Sequence, residues 1–377
     1  MLSDIVFING FNATNAGGRT ILINYLRVHA SRKEKLKHVV FIRDRESIHE
    51  INHGDDLIFL EAPRLLRYGF LTPLINYFIV PAYLEKFNVK YFLNFSDIPV
   101  CTKRKQIFAF DWPYAAFLKS QAWGLLSWSE YFSRKLKLIL FRAWICYIDR
   151  IIVQTPILEK IMRDEYGFSD ILVVPNAVSP PLELAPERSF NFGNAFTLLC
   201  LTHYYPHKNI EIFIPLAVAI KKAKLDIKIV TTISRDQGLK ANRFLNLIEK
   251  LGLSDIITNI GEVELDDVPQ LYRKVDCLLL PSLLETFSGT YVEAMHFGVP
   301  ILTSNLPFAI GVCADAAIYF DQDCHLDILS KIQLVMESEK LMSKMRNLGV
   351  KQLSKFPTWE QTYDMYQSAL GINEESY

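Results

Sequence analysis

Short apolar runs alternate with longer amphipathic segments along the whole chain. In the first half "DIVFIN", "VVFIR", "DLIFLE", "KYFLNF", "QIFAFD" and "RIIVQ" are rich in Val, Ile and Phe and show little polar alternation. Such runs are expected of strands covered on both faces. The second half repeats the style with "FTLLCL", "DIKIVTT", "DIITNIG", "DCLLLPS" and "PILTS". Between them lie amphipathic stretches such as "NIEIFIPLAVAIKKA" and "KANRFLNLIEKLG". Strand–helix alternation predicts α/β domains with parallel sheets and right-handed crossovers. The pattern breaks at "NAVSPPLELAPERSFNFGNAF", which is proline-rich and aperiodic and reads as a linker. The expected organisation is a Rossmann-like domain over 1–178, a linker over 179–195 and a second Rossmann-like domain over 196–356. A final helix over 357–377, carrying Trp359, Tyr363 and Tyr366, is expected to pack back on the first domain.

With 377 residues, half of them hydrophobic and 22% charged, the chain can bury two cores. The net charge of zero hides an asymmetry: residues 1–180 hold 23 Lys+Arg against 17 Asp+Glu, leaving 18 against 24 for the rest. A mildly basic first half fits an anionic partner or surface. The six cysteines show no CxxC spacing, as expected of reduced structural thiols in the cytoplasm. The first residues read as a strand, so no secretory leader is expected, and every long apolar stretch is broken by charge or proline, so no membrane-spanning helix is expected.

Three turns carry candidate chemistry. After the first strand, "NGFNATNAGGRTILINYLRVHA" places Gly17 and Gly18 before a helix with Ile21, Leu22, Tyr25 and Leu26 on one face. Two glycines there either make a tight strand-to-helix turn or bring free N–H groups to an anion at a sheet's carboxyl edge. The GxGxxG fingerprint is missing, so NAD is not expected. In "LCLTHYYPHKNIEIFIPLA", Lys208 follows a strand near the start of a helix, as a solvated lysine or as a phosphate-neutralising charge. His203 and His207 lack a third partner at a useful spacing, so no metal site is expected.

The third turn is "CLLLPSLLETFSGTYVEAMHFGVPILTS": strand, loop, helix, glycine stop, proline, strand. Glu285 falls in the loop and Glu293 about one turn into the helix. Carboxylates suit vicinal hydroxyls, and the N–H groups of Phe287 to Thr290 between them suit a phosphate. Hydroxyls, diphosphate, hydroxyls is the layout of a nucleotide sugar. Taken singly, each glutamate also reads as an ordinary helix-start or surface acid.

Segment 276–304 resembles the E-x7-E signature of the family 4 retaining glycosyltransferases. "VVPNAV", "HKNIEIFI", "NIGEVELDDVPQLYRKVDCLLLPS" and "AGGR" resemble further segments of that family in the same order, and Trp359 resembles part of its final helix. The resemblance implies the GT-B architecture: two Rossmann-like domains facing across a cleft, with the C-terminal helix returning towards the first. It implies that Glu285 accepts donor-sugar hydroxyls and Glu293 the ribose. Phe287, Ser288, Gly289 and Thr290 would face sugar and phosphate, Lys208 the leaving diphosphate, and Val263 the base. Gly17 and Gly18 would approach phosphate or acceptor. The chain departs from the family pattern in three places. Thr202 and His203 stand where an Arg usually precedes the lysine, with Arg19 a candidate replacement. Phe110 precedes Asp111 where His is usual. Thr286 and Ser288 stand where glycines are common.

The implied activity is transfer of a sugar from a nucleotide diphospho-sugar to a saccharide or lipid-linked saccharide, with retention, in bacterial polysaccharide or lipopolysaccharide assembly. No Asp-x-Asp follows any of the strand-like runs named above, so neither a metal nor another cofactor is expected beyond the donor itself. Segment 119–150 holds three tryptophans and six Lys/Arg against two acids. It reads either as a helix on the anionic inner face of a membrane or as a core-packing helix with a solvated basic face. No continuous basic stripe suggests nucleic acid. Two rival functions stay open: another GT-B enzyme such as an epimerase or phosphorylase, and a non-catalytic sugar-nucleotide-binding subunit.

Overall fold

A computed structural model describes residues 5–14, 16–33, 36–49, 51, 56–177 and 189–372. The chain divides into two compact units. Unit 1 comprises 1–118, 127–179 and 357–377; unit 2 comprises 119–126 and 180–356. Most of the expected linker lies outside the described residues.

Unit 1 is built on seven parallel strands: β1 (Ile5–Asn9), β2 (Lys37–Ile42), β3 (Leu57–Glu61), β4 (Tyr91–Asn94), β5 (Gln106–Ala109), β6 (Arg150–Val153) and β7 (Ile171–Val173). Their order is β3-β2-β1-β4-β5-β6-β7. The inner strands bury nearly every residue, which explains their unbroken apolar runs. Helix Ala16–Ser31 covers one face, burying Ile21, Leu22, Tyr25 and Leu26 as its pattern predicts. Helix Trp359–Leu370 lies beside it, and its Trp359, Tyr363 and Tyr366 join the same core. Polar contacts fix that return: His29 Nδ1 meets the Tyr363 hydroxyl at 3.0 Å, and Gln367 Nε2 donates to the Tyr25 hydroxyl at 2.6 Å.

Unit 2 repeats the plan with β8 (Phe196–Cys200), β9 (Ile227–Thr231), β10 (Ile257–Asn259), β11 (Cys277–Leu280), β12 (Ile301–Ser304) and β13 (Ala317–Phe320). All pairs are parallel, in the order β10-β9-β8-β11-β12-β13. Each sheet therefore reverses its winding once, between β1 and β4 in unit 1 and between β8 and β11 in unit 2. Chains leaving the carboxyl ends of two such neighbours diverge to opposite faces, and the gap between them is where open α/β sheets bind ligands.

Three expectations need correction. An Asp-x-Asp does stand at a strand end: Asp321, Gln322 and Asp323 directly follow β13, a strand that the sequence reading did not name. Segment 119–150 is not one helix. Gln121–Leu125 is a short 3-10 turn that belongs to unit 2, whereas helix Trp128–Trp144 belongs to unit 1. Ser127 starts the longer helix with a capping box: its hydroxyl accepts from the Glu130 N–H, and the Glu130 carboxylate accepts from the Ser127 N–H at 2.8 Å. Lys208, moreover, does not lie at an α-helix N-terminus. It closes a 3-10 turn, Pro206–Lys208, and Asn209 follows in the left-handed region (φ 56°). A second 3-10 turn intervenes before helix Phe213–Ala223, so the helix dipole expected to assist the lysine starts elsewhere.

Candidate active site

The site in unit 2 starts from two loops that leave the neighbouring strands β8 and β11. The Leu283 N–H donates to the His207 carbonyl at 2.7 Å, tying the loops together. The Ser120 hydroxyl donates to the Leu283 carbonyl at 3.3 Å from the 119–126 segment. This clamp sets the Lys208 ammonium against the Glu285 carboxylate, where they form an ion pair. The two side chains are only 16% and 10% exposed. Beneath them, burial drives the Cys200 thiol pKa up to about 12, with Lys208 pulling it down and Glu285 pushing it up.

From Glu285 the chain passes Thr286 and Phe287 and enters helix Gly289–His296, whose N-cap position, Ser288, makes no side-chain cap bond; Gly298 at φ +66° follows its end. The first N–H groups of any α-helix lack intrahelical partners, and this helix starts four residues along the chain from Glu285. The Ser288 and Thr290 hydroxyls bond each other at 2.7 Å, which orders that entry. Phe287 is anchored edge-on against Phe356. Glu293 lies half-buried one turn in, and its Oε2 accepts from the Tyr272 hydroxyl at 3.0 Å. Burial raises its pKa, and the Tyr272 hydrogen bond partly opposes the rise.

A second polar group collects after β8, β9 and β10. His203 Nδ1 lies 2.8 Å from Gln237 Nε2 and 3.6 Å from the Glu262 carboxylate, the residue before Val263. Gln237 also accepts from the Tyr204 N–H at 2.8 Å, so the loop after β9 holds the loop after β8. On the other flank of the lysine turn a cavity of 540 Å³ is lined by Tyr204, Pro206, Asn209, Ile214, Lys240 and Phe244 among others.

Unit 1 gathers its own candidates. Asp111 follows β5, and its Oδ2 lies 3.3 Å from where a Cβ on Gly17 would sit and 3.7 Å from one on Gly18. The carboxylate therefore rests on the opening turn of helix Ala16–Ser31, where the dipole favours an anion and where a side chain at Gly17 would crowd it. Arg19 is on the same turn and half-buried. Beside this turn, Gly10 leaves β1 so tightly that a Cβ would lie 2.6 Å from Leu22 Cδ2. At the β1–β4 switch point, Asn9 Nδ2 donates to Asn94 Oδ1 at 3.0 Å and to Asn76 Oδ1 at 3.2 Å. Ser96 donates to Asn12 Oδ1 at 2.8 Å.

The sequence candidates thus fall into three groups: Lys208 with Glu285 and the 287–293 helix start; His203 with Val263's loop; and Gly17, Gly18, Arg19 and Asp111 in unit 1. Sequence reasoning missed Tyr272 and Gln237, which hold Glu293 and His203, and the Asn9–Asn76–Asn94 network. Only Asn9 and Asn94 had a readable cue, as polar residues closing apolar strands. Among the described residues no three His, Cys, Asp or Glu side chains group closely enough to hold a metal ion.

Residues 184–352 match the family model described as "Glycosyl transferases group 1". Among curated proteins, the chain is 28% identical over 144 residues to the O-antigen chain mannosyltransferase RfbU of Salmonella typhimurium, covering 38% of this chain and 39% of that protein. It is 23% identical over 241 residues to mannosylfructose-phosphate synthase of Agrobacterium fabrum, covering 59% and 52%. The chain thus spans about half or less of the curated relatives it matches. Among solved structures, sucrose-phosphate synthase from Thermosynechococcus elongatus superposes with a TM-score of 0.74 at 14% identity, covering 98% of this chain and all of that one. Anabaena HepE, solved in complex with UDP, gives 0.67 at 13% identity, again with 98% and 100% coverage. The two parallel sheets and these likenesses establish the GT-B α/β fold, and the family match supports a glycosyltransferase.

Proposed function

We propose that the chain moves a sugar from a nucleotide diphospho-sugar to an acceptor hydroxyl, retaining the anomeric configuration and needing no metal. The observation that carries this reading is the Lys208–Glu285 pair at the β8–β11 switch point, with the start of helix Gly289–His296 beside it. A cation, a carboxylate and a helix N-terminus together match a ligand that has hydroxyls next to a diphosphate. In the free protein the lysine and glutamate satisfy each other. When the donor binds, Glu285 accepts sugar hydroxyls and Lys208 turns to the phosphates. As the bond to the diphosphate breaks, negative charge grows where Lys208 and the helix N–H groups stand, and this lowers the barrier. Glu293, held by Tyr272, accepts from the ribose, and the His203–Glu262–Val263 loops flank the base. In unit 1, Asp111 at the Gly17–Gly18 turn positions the acceptor.

The O-antigen enzymes among the curated relatives support a role in polysaccharide or lipopolysaccharide assembly. The test is to screen UDP-, GDP- and ADP-sugars for a rise in unfolding temperature, since a ligand of the folded state alone stabilises it. Donors that bind are then incubated with acceptor, and the new linkage is read by NMR. Retained configuration with activity surviving EDTA is expected. An inverted product, or a collapse in EDTA restored by Mn²⁺, overturns the mechanism; donor binding without transfer or hydrolysis overturns the enzyme reading.

A further inference from the structure

We infer that unit 1 carries a docking surface for an anionic lipid bilayer, made by the outer face of helix Trp128–Trp144 together with the segment 64–78. The inference stands apart from the donor site and does not depend on the sugar-transfer reading.

The helix is apolar on two sides. Leu138 and Phe141 face the core. Trp128, Phe132, Leu136 and Ile139 face solvent with 80, 61, 58 and 63% of their surface exposed. At about 100° per residue these four fall within about 80° of arc, so they form one stripe. On the same wheel Lys135 and Arg142 border the stripe, while the one acid, Glu130, falls on the far side and pairs with Arg134. The segment 64–78 adds Leu65, Tyr68, Phe70, Leu74, Tyr77 and Phe78, each more than half exposed. The Tyr77 ring meets the Trp144 ring at 6.1 Å, which sets the two segments side by side. An exposed apolar patch built from ten large side chains exceeds what isolated soluble domains normally leave open.

Charge and residue type select the occupant. Residues 62–84 and 127–148, which carry the surface, hold six Lys/Arg (Arg64, Arg67, Arg134, Lys135, Lys137 and Arg142) against Glu130 alone. Asp97 pairs with Lys137 and Glu61 with Arg67. Arg64, Lys135 and Arg142 stand at the patch margin, Lys135 over the Tyr131 ring and Arg142 over the Tyr166 ring. Tyr and Trp rings beside cations match the headgroup layer of a bilayer, where rings enter the boundary and cations meet lipid phosphates. The stripe is a convex helix face and not a groove, which suits a planar surface better than a peptide.

The test is sedimentation of the full chain with vesicles of phosphatidylcholine alone and of equal parts phosphatidylcholine and phosphatidylglycerol. Strong binding is expected only to the anionic vesicles. Phe132→Ser/Leu136→Ser/Ile139→Ser, all solvent-facing, should keep the circular dichroism spectrum and lose binding at least tenfold. Lys135→Ser/Arg142→Ser should lose about tenfold or more on anionic vesicles at low salt. Failure of the parent to bind either vesicle overturns the inference. So does binding that neither variant weakens, or self-association in sedimentation equilibrium that the triple substitution abolishes while vesicle binding persists.

Discussion

Removing the lysine of the unit 2 ion pair separates its structural from its chemical contribution. Lys208→Met leaves the Glu285 carboxylate, 10% exposed, without its counter-charge. Breaking a dry ion pair from one side costs about 3–5 kcal/mol, and the residual exposure of both groups places this pair at the low end, about 3 kcal/mol. For a unit of this size that lowers the unfolding midpoint by about 6–12 °C, taking about 2–4 °C per kcal/mol. The double variant Lys208→Met/Glu285→Gln removes both charges and recovers most of the loss, as contacting pairs do when their substitutions couple by about 0.5–3 kcal/mol. Turnover behaves differently. Losing a cation from the leaving diphosphate costs about a hundredfold, and the double variant stays at least that slow. Unit 2 can be followed by itself because Cys200, Cys277 and Cys313 are buried within it, so labelling of those thiols along a denaturant series reports its opening. Additive stability losses in the double variant refute the pairing. Turnover near that of the parent in Lys208→Met refutes the catalytic reading, whatever the stability shows.

Burial raises the Glu293 pKa above its unfolded value near 4.3, so folding favours the protonated form; that contribution is full below the unfolded pKa and is lost as pH rises through the folded one. Glu293→Gln should therefore be more stable than the parent at about pH 7, with the gain vanishing as pH falls towards about 4, read from urea midpoints across pH. Gly10→Ala forces a Cβ to 2.6 Å from Leu22 Cδ2 and should destabilise unit 1 by about 1–3 kcal/mol in the same assay. Gly17→Ala presses on the Asp111 carboxylate from 3.3 Å; the expected result is a raised KM for acceptor with donor affinity unchanged, measured by steady-state kinetics and calorimetry. Among the cysteines, exposed Cys146 should react first with a thiol reagent in the folded protein, as mass spectrometry of the labelled peptides would show, and Cys200, Cys277 and Cys313 only on unfolding.

Much of the scaffold was legible because interior strands of parallel sheets must be apolar on both faces. Among the described residues, eleven of thirteen strands coincide with the apolar runs read from the sequence; the two it missed, β7 and β13, sit at equivalent edges of their sheets. Each is a short apolar run of three or four residues, most of them only half-buried, and neither stood out from the helical segments beside it. The break in segment 119–150 did have a cue. Ser127 and Glu130 stand at capping-box spacing after Gly124, and a helix start there outweighs the apolar residues on either side.

The lysine turn shows where local reading stops. "HKNIEIFI" has helical spacing, yet Asn209 takes a left-handed conformation that Asn tolerates better than most residues, and its Nδ2 donates to the Gln322 carbonyl at 2.9 Å. That contact spans more than a hundred residues and ends the turn one residue after Lys208. The consequence is chemical. A lysine carried on a regular helix would owe its position to the helix axis and gain from its dipole. Here the position comes from two loops held by the Leu283–His207 hydrogen bond, and the charge is balanced by Glu285. The sequence offered Glu285 as a ligand for hydroxyls; its place as the counter-ion of Lys208 follows only from the adjacency of β8 and β11, strands nearly eighty residues apart in sequence. The pair keeps two charges satisfied in a poorly hydrated spot, and under the proposed function a ligand with both hydroxyls and phosphates separates them. On that proposal, specificity would arise from the free state itself, since a molecule offering only one of the two chemistries would leave the other charge stranded.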